Sequence, residues 1–591
     1  MKNLVIITYR FIGVLVCFLF LSTLQPPVYA KDDVKSYAKN YAKNNGKNEA
    51  KESTLKPKPS LANLHYEADN LNNKSNDDPS SKLSSKLSSK LRTSSDLPKP
   101  IQKLLKKYKI PQKNLSIYVR DLNKEKPLLE INADVLRSPA STMKLLTTYA
   151  ALKELGPNYS WRTEVWLRGQ LKQGVLKGDL ILKGYGDPFL VYENFWKLVK
   201  TLRDKGLKEI QGDIIIDNSY FSLPDYNPAA FDGKPFRVYN APASALMFNF
   251  QATRFLFKPV LNEADDNKAD NEPEKKQRPL SSVDGVSKAG KEDKKRQKDK
   301  KKKRFKKHKV IGRVDIRPLP AIKGFDFENQ VRLVKGKCRR LHYRPKFFRN
   351  KSGKLVIKGK YATKCKQKFI LRTISTPEEH AFNAFRDFWL DLKGTLSGGL
   401  KIGKVHTGDV KFHTYSSPTL GQQLRLINKW SNNVMTRQLL LTLGAKRFGA
   451  PATLEKGQRA VLEILKENGI DTTGIKMENG SGLSRIAQLT ARQMGSLLET
   501  AYRDAYMPEF MASLSLPGVD GTLVNRFRKE DLRGRSHLKT GTLNYVTAIS
   551  GYMLNRFGKR LVVVIQHNGK KTGARRGEKI QNALLRWCFE Q

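Results

Sequence analysis

The feature that most restricts how this chain can fold is that strand and helix patterns of one kind stand at both its ends, with different material between. Near the start, IQKLLKKYKI from Ile101 reads as a helix, and NLSIYVRDL and KPLLEIN alternate like two strands of a hairpin turning around residues 123–125. Near the end, TAISGYML and LVVVIQHNG read as strands and ARRGEKIQNALLRWCFEQ as a closing helix, after helical periodicity in LGQQLRLINKW and VMTRQLLLTLGAKRF. Between about 160 and 410 the runs alternate instead, as in GDLILKGYGDPFL and GDIIIDNSYF, which predicts a strand-rich region. One domain, residues 99–159 and 411–591, split by inserted β-rich matter at 160–410, is the expected organisation.

At 591 residues the chain is long enough for two or more cores. Residues 1–30 have basic Lys2 and Arg10, an apolar run at 11–24 and small Ala30, the layout of a secretory signal, so the mature protein is expected to start near Lys31. An uncleaved anchor is the rival reading, but the apolar run is shorter than the ~20 residues that span a bilayer. Residues 31–98 are polar, basic and repetitive, with three copies of SSKL at 80–91, and lack the apolar periodicity of a core; a disordered linker is expected. The lysine-dense stretch 262–308 reads as a solvated loop within the insert. In an oxidising compartment Cys338 and Cys365 could pair, or all three mature cysteines, Cys588 included, could serve as small apolar residues.

The net charge of +55 invites a nucleic-acid reading. The basicity is spread along the chain, however, and is not gathered beside stacking aromatics or a groove-reading helix. Contacts with anionic polymers or lipid surfaces outside the cytoplasm, or the composition of the source organism, account for it better, and no nucleic-acid partner is expected. No cysteine or histidine spacing reads as a metal site.

Chemistry is concentrated in SPASTMKLLTTYAAL, residues 138–152. Ser138 followed by Pro139 reads as an N-cap and first turn, and Gly156 as the stop, which places Ser141 where unpaired N–H groups favour developing negative charge. Lys144 follows one helical turn later on the same face, able to take the serine proton if burial or neighbouring cations suppress its own charge. Leu145, Tyr149 and Leu152 would fix the helix in a core. S-x-x-K alone is cheap, since Ser36 to Lys39 and Ser53 to Lys56 repeat it in the polar linker.

Two further pieces matter. SNN at 431–433 lies between helical patterns, so a turn can present Ser431 and Asn433 together, although an ordinary helix-capping turn has the same composition. KTGT at 539–542 precedes an apolar strand pattern, so Lys539 could meet a carboxylate while Gly541 admits close backbone approach. A second copy, Lys571-Thr572-Gly573, leads into a helix and reads as a connection.

S-x-x-K, S-x-N and K-T-G in this order form the motif set of β-lactamases and penicillin-binding proteins. With GDLILKGYGDPFL, IQGDIIIDNSYF, YNAPASAL, ENGSGLSR, LPGVDGTLVNRF and KTGTLNYVTAISGY, the sequence from Leu97 to its end resembles the class C low-molecular-mass penicillin-binding proteins, D-alanyl-D-alanine carboxypeptidases/endopeptidases of peptidase family S13. The resemblance implies an α+β fold: a serine transpeptidase-like domain, an antiparallel sheet flanked by helices, interrupted by domains inserted between the first and second motifs. It implies Ser141 as nucleophile, Lys144 as general base, Ser431 as proton relay, Asn433 on the substrate backbone, and Lys539 on the terminal carboxylate. Thr540, Gly541 and Thr542 would form the substrate edge, and the N–H groups of Ser141 and Thr542 the oxyanion site. The reaction implied is acyl transfer from D-Ala-terminated stem peptides or cross-links of peptidoglycan to Ser141, then hydrolysis, without metal or organic cofactor. A β-lactam would leave a slowly hydrolysed ester on the same serine, and a periplasmic location is implied as well. One departure stands out: the family often reads D-G-S-G-L-S-R where this chain has Asn479 in place of the aspartate. A class A β-lactamase would need a deacylating glutamate in an E-x-x-L-N context, which is missing; a non-catalytic wall-binding protein is the remaining rival.

Overall fold

The computed structural model describes residues 97–261, 312–319, 326–570 and 572–591. The expected signal, nearly all of the linker, and the loop at 262–308 lie outside the described residues.

The first part of the chain forms α1 (Lys99–Tyr108), β1 (Leu115–Asp121), β2 (Leu129–Ile131) and α2 (Lys144–Leu155). Ile101 and Leu105, four apart, are the buried side of α1, and Lys109 ends it in the left-handed region at φ 51° with its N–H on the Leu105 and Lys106 carbonyls. The insert follows with β3 (Arg162–Lys172), β4 (Val175–Gly184), α3 (Tyr192–Asp204), β5 (Glu209–Ile210), β6 (Ile214–Asp217) and β7 (Thr253–Leu261). It continues through β8 (Gly312–Leu319), β9 (Phe327–Val334), β10 (Lys346–Arg349), β11 (Leu355–Ala362) and β12 (Lys368–Arg372). It closes with α4 (Pro377–Asp391), β13 (Thr395–Leu396), β14 (Leu400–Ile402) and β15 (Val410–Ser416). The last part is α5 (Leu420–Lys429), α6 (Asn433–Phe448), α7 (Leu454–Glu467), α8 (Ala491–Arg503) and α9 (Met507–Ala512), then β16 (Ser536–Leu543), β17 (Val546–Leu554), β18 (Arg560–Asn568) and α10 (Ala574–Phe589).

The two ends of the chain meet in a five-stranded antiparallel sheet of order β16-β17-β18-β1-β2. β1 lies against β18 with Ile117 opposite Ile565 and Tyr118 opposite Val564. Because successive strand residues point to opposite faces, Ile117, Val563 and Ile565 enter one core with Ile101, Ile580 and Leu584 of α1 and α10. Tyr118, Val562 and Val564 enter the other, with Leu145, Tyr149, Leu439 and Met494 of α2, α6 and α8. The sheet thus separates two helical layers, and α2 lies deep in the larger one, every residue from Lys144 to Leu152 being buried.

The insert has a seven-stranded sheet in which β4 is flanked by β3, β5 and β6, with α3 and α4 packed on it through Leu198, Phe385 and Trp389. Two three-stranded sheets, β10-β11-β9 and β12-β7-β8, share a separate core around Phe255, Phe257, Ile357 and Tyr361. Cys338 and Cys365 are joined in a disulfide, and Cys588 is a buried free thiol. The region is therefore strand-rich but not strand-only, and a boundary at 410 falls on the first residue of β15, which runs to Ser416 and pairs with β3.

Candidate active site

The opening of α2 departs from the simple cap read from Ser138. Residues Ala140–Met143 form a 3₁₀ turn ahead of the α-helix, and Ala140 stands at φ 47°. Ser138 does not cap: its Oγ has no hydrogen-bond partner among the described residues, while its backbone N–H donates to Asn568 Oδ1 (2.9 Å) and its carbonyl accepts from Asn568 Nδ2 (3.1 Å). The end of β18 therefore holds the turn that carries Ser141, a long-range clamp that no local pattern announces.

Lys144 follows as the first residue of α2 and is completely buried. Its Nζ donates to Asn433 Oδ1 (2.6 Å) and to the Ser481 carbonyl (2.6 Å), and lies 3.3 Å from Ser141 Oγ. Burial first, then the charges of Lys539 and Arg437, hold this amine well below the ordinary lysine value.

The S-x-N turn connects α5 to α6. Capping falls to the middle residue, Asn432, whose side chain accepts from the Val434 and Met435 N–H groups, and Ser431 sits at φ 57°. Ser431 and Asn433 are thereby left to face Lys539 and Lys144.

Lys539, on β16, is also completely buried, and its Nζ donates to Ser431 Oγ (2.8 Å) and the Thr540 carbonyl (2.9 Å). Burial pushes its amine down to about 7. Gly541 is where β16 crosses the serine turn: a Cβ there would stand 2.7 Å from the Pro139 carbonyl oxygen and 2.9 Å from Ser141 N. Thr540 Oγ1 is 2.9 Å from Thr522 Oγ1, and Thr542 is exposed toward the cavity.

All three motifs converge on one cavity of about 860 Å³, lined by Ser141, Ser431, Asn433 and Thr542. Thr572 and Gly573 line it too; Lys571 is not described. Sequence reasoning missed several participants. Asp232, Lys234 and Tyr239 reach the cavity from the insert, where nothing local marks them. Arg437 is buried behind Asn433 and donates to the Ala241 carbonyl (2.6 Å); an arginine within the apolar run of α6 was its available signal. Asn479 accepts from Ser481 N–H (3.1 Å) and Oγ (2.7 Å) and donates from Nδ2 to the Leu483 carbonyl (2.8 Å), shaping the loop that presents Ser481 to Lys144.

A five-stranded antiparallel sheet between two helical layers, with a serine and a desolvated lysine one turn apart at the start of the buried helix, defines the serine DD-peptidase class of acyl-transfer folds. Comparison with known proteins narrows this. The chain belongs to the D-Ala-D-Ala carboxypeptidase 3 (S13) family, whose family model matches residues 97–334 and 337–591. It is 27% identical to a D-alanyl-D-alanine carboxypeptidase of an Actinomadura species over 449 residues, 73% of each chain. It is 25% identical to the D-alanyl-D-alanine carboxypeptidase DacB of Haemophilus influenzae, over 79% of this chain and 88% of that one. The crystal structure of penicillin binding protein 4 (dacB) from Haemophilus influenzae superposes with a TM-score of 0.65 at 21% identity, over 83% of this chain and 99% of that one, which shows the shared fold. A second structure of that protein holds a β-lactam. The chain is thus a serine-type DD-peptidase, a hydrolase of D-alanyl bonds.

Proposed function

We propose that Ser141 is the acylated nucleophile and Lys144 its general base. The observation that carries this is the environment of Lys144 Nζ. A neutral amine has two hydrogens, and Asn433 Oδ1 and the Ser481 carbonyl accept both at 2.6 Å, so the lone pair is left for the third neighbour, the Ser141 hydroxyl. Ser141 Oγ then attacks the carbonyl of the penultimate D-Ala while its proton passes to Lys144. The oxyanion is received by the N–H groups of Ser141 and Thr542, which the crossing at Gly541 brings near each other; one such donor is worth about 3 kcal/mol. Collapse expels the amine, protonated through Ser431, whose Oγ accepts from Lys539 Nζ. Lys539, titrating near 7, supplies positive charge for the substrate's terminal carboxylate, with Thr540 and Thr542 along the substrate edge and Asn433 on its backbone. Water then hydrolyses the ester.

The substrates are D-Ala-terminated stem peptides and D-Ala cross-links of peptidoglycan, and penicillin acylates Ser141. Residues 99–159 and 411–591, less the β15 residues up to Ser416 that pair with β3 of the insert, constitute the catalytic domain around the insert, and residues 1–30 direct export, in keeping with a periplasmic enzyme. Basic segments contact anionic surfaces outside the cytoplasm. The reading is tested by D-alanine release from a muropeptide pentapeptide: wild type releases it and folded Ser141→Ala does not. Release by Ser141→Ala at the wild-type rate would overturn the assignment.

A further inference from the structure

The insert holds a concentration of positive charge that the chemistry above does not use. Residues 233–237 line a second pocket of about 540 Å³, and one of them, Lys234, lines the catalytic cavity as well. Five cations line that pocket: Lys234, Arg237, Arg344, Lys346 and Arg372. No carboxylate among the described residues lines it. Among the described residues only Lys234 has an acidic partner, Asp232 at 3.5 Å, and the other four cations form no ion pair.

Arg372 is the sharpest anomaly. It is 7% exposed, lies 4.5 Å over the Phe347 ring, and donates to the carbonyl of Leu371. Its burial, with Arg237 and Arg344 nearby, pushes the guanidinium down to about 10. A buried guanidinium beside two others and without a counter-ion, as at Arg372, is costly, and an arriving anion offsets both its desolvation and the mutual repulsion. Phe236, Phe347 and Phe348 supply apolar walls, and they also line an adjoining pocket of about 770 Å³. An anion attached to a chain with apolar parts fits this lining better than a free ion.

The position says which anion. Lys234 lines both the arginine pocket and the catalytic cavity, and Tyr239 on the cavity wall feels the charges of Arg237 and Arg372. A polymer with its scissile bond at Ser141 has a cationic step at Lys234 between the catalytic cavity and the arginines. The free anionic groups that peptidoglycan offers there are the carboxylates of its stem peptides, which match the planar guanidinium fork. We propose that the arginine pocket binds a carboxylate-bearing stem peptide of the wall polymer remote from the bond being cleaved, favouring cross-linked over short substrates. The choice of polymer rests on the DD-peptidase reading; the charge cluster does not.

The test is equilibrium binding of a purified cross-linked stem-peptide dimer to the mature chain carrying Ser141→Ala, which separates binding from turnover. Adding Arg237→Gln and Arg344→Gln, both at least partly exposed positions, is expected to raise Kd for the dimer about tenfold. Binding of a short N-acetylated tripeptide ending in D-Ala-D-Ala should change less than about twofold, as should penicillin acylation of the Arg237→Gln/Arg344→Gln enzyme with Ser141 intact, which also reports folding. Lys346→Gln, also exposed, gives a smaller shift of the same kind. A control with equal charge loss, Lys106→Gln/Lys107→Gln on the exposed side of α1, leaves Kd unchanged. An unchanged Kd in the arginine variant, or an equal rise in the control, overturns the proposal. So does relief of the difference by inorganic phosphate but not by acetate at matched ionic strength, which would make the pocket a phosphate site. Failure of Ser141 to be acylated would sink the proposed mechanism and leave this binding result standing.

Discussion

At the scale of single residues the account depends on two buried amines. In Lys144→Met the proposed general base is gone, and acylation by penicillin should fall by about 10²–10⁴-fold with the fold retained, read by stopped-flow or mass spectrometry. Its depressed pKa fixes the sign of the pH profile: acylation rises with pH through the depressed value and is already complete below the ordinary lysine range. Asn479 bears on the same group. Asn479→Asp removes the Nδ2 donor to Leu483 and places a carboxylate beside the Ser481 loop, which stabilises the charged form of Lys144. The acid limb of the acylation profile should then move to higher pH; an unmoved limb would show that Asn479 shapes the loop without tuning the lysine. Lys539 carries a stability consequence. It titrates near 7 in the fold and near 10.5 when unfolded, so between those values the unfolded chain holds the extra proton. Stability associated with its neutral form is absent below about pH 7 and is gained as pH rises toward 10.5. Lys539→Met should accordingly raise Tm near pH 6, with the advantage shrinking toward pH 10. A constant difference across that range would contradict the buried-amine reading.

At the scale of elements, the approach of β16 to the serine turn is the demanding contact. Gly541→Ala would set a methyl 2.7 Å from the Pro139 carbonyl, so β16 or the turn has to move; acylation should fall by about 10²-fold and stability by about 1–3 kcal/mol, read by penicillin acylation rate and denaturant midpoint. α8 offers a contrast: its Thr490–Gln493 capping box can be removed by Thr490→Ala at a stability cost of about 1 kcal/mol, seen in denaturant midpoints and not in acylation rate. These elements also show what could be read beforehand. The β1–β2 hairpin was legible because alternation is a local, period-two signal, and β17, β18 and α6 because their apolar runs are continuous. The strand order was not, since β1 pairs with β18 across more than four hundred residues. The Ser138 cap failed for a similar reason: Asn568, distant in sequence, takes the backbone groups that the cap reading assumed were served locally. Helices α3 and α4 escaped notice because alternating runs around them dominated the reading of the insert.

At the scale of the whole molecule, one sheet built from both chain ends holds the chemistry, and the insert adds a wall. The site motifs were visible as three short words, whereas Asp232 and Tyr239 were not, because their role exists only once the insert folds against α6 and the cavity. The Cys338–Cys365 disulfide belongs to the insert's small core, and neither cysteine lines the catalytic cavity. Its removal by Cys338→Ser/Cys365→Ser should cost about 2–4 kcal/mol in the insert while penicillin acylation persists. The central claim, that Ser141 is the nucleophile activated by Lys144, is tested most directly by the intact mass of the mature protein after incubation with penicillin, beside Ser141→Ala. The account predicts a single penicilloyl adduct on the wild type and none on the variant; no adduct on folded wild type, or one that survives in Ser141→Ala, would contradict it.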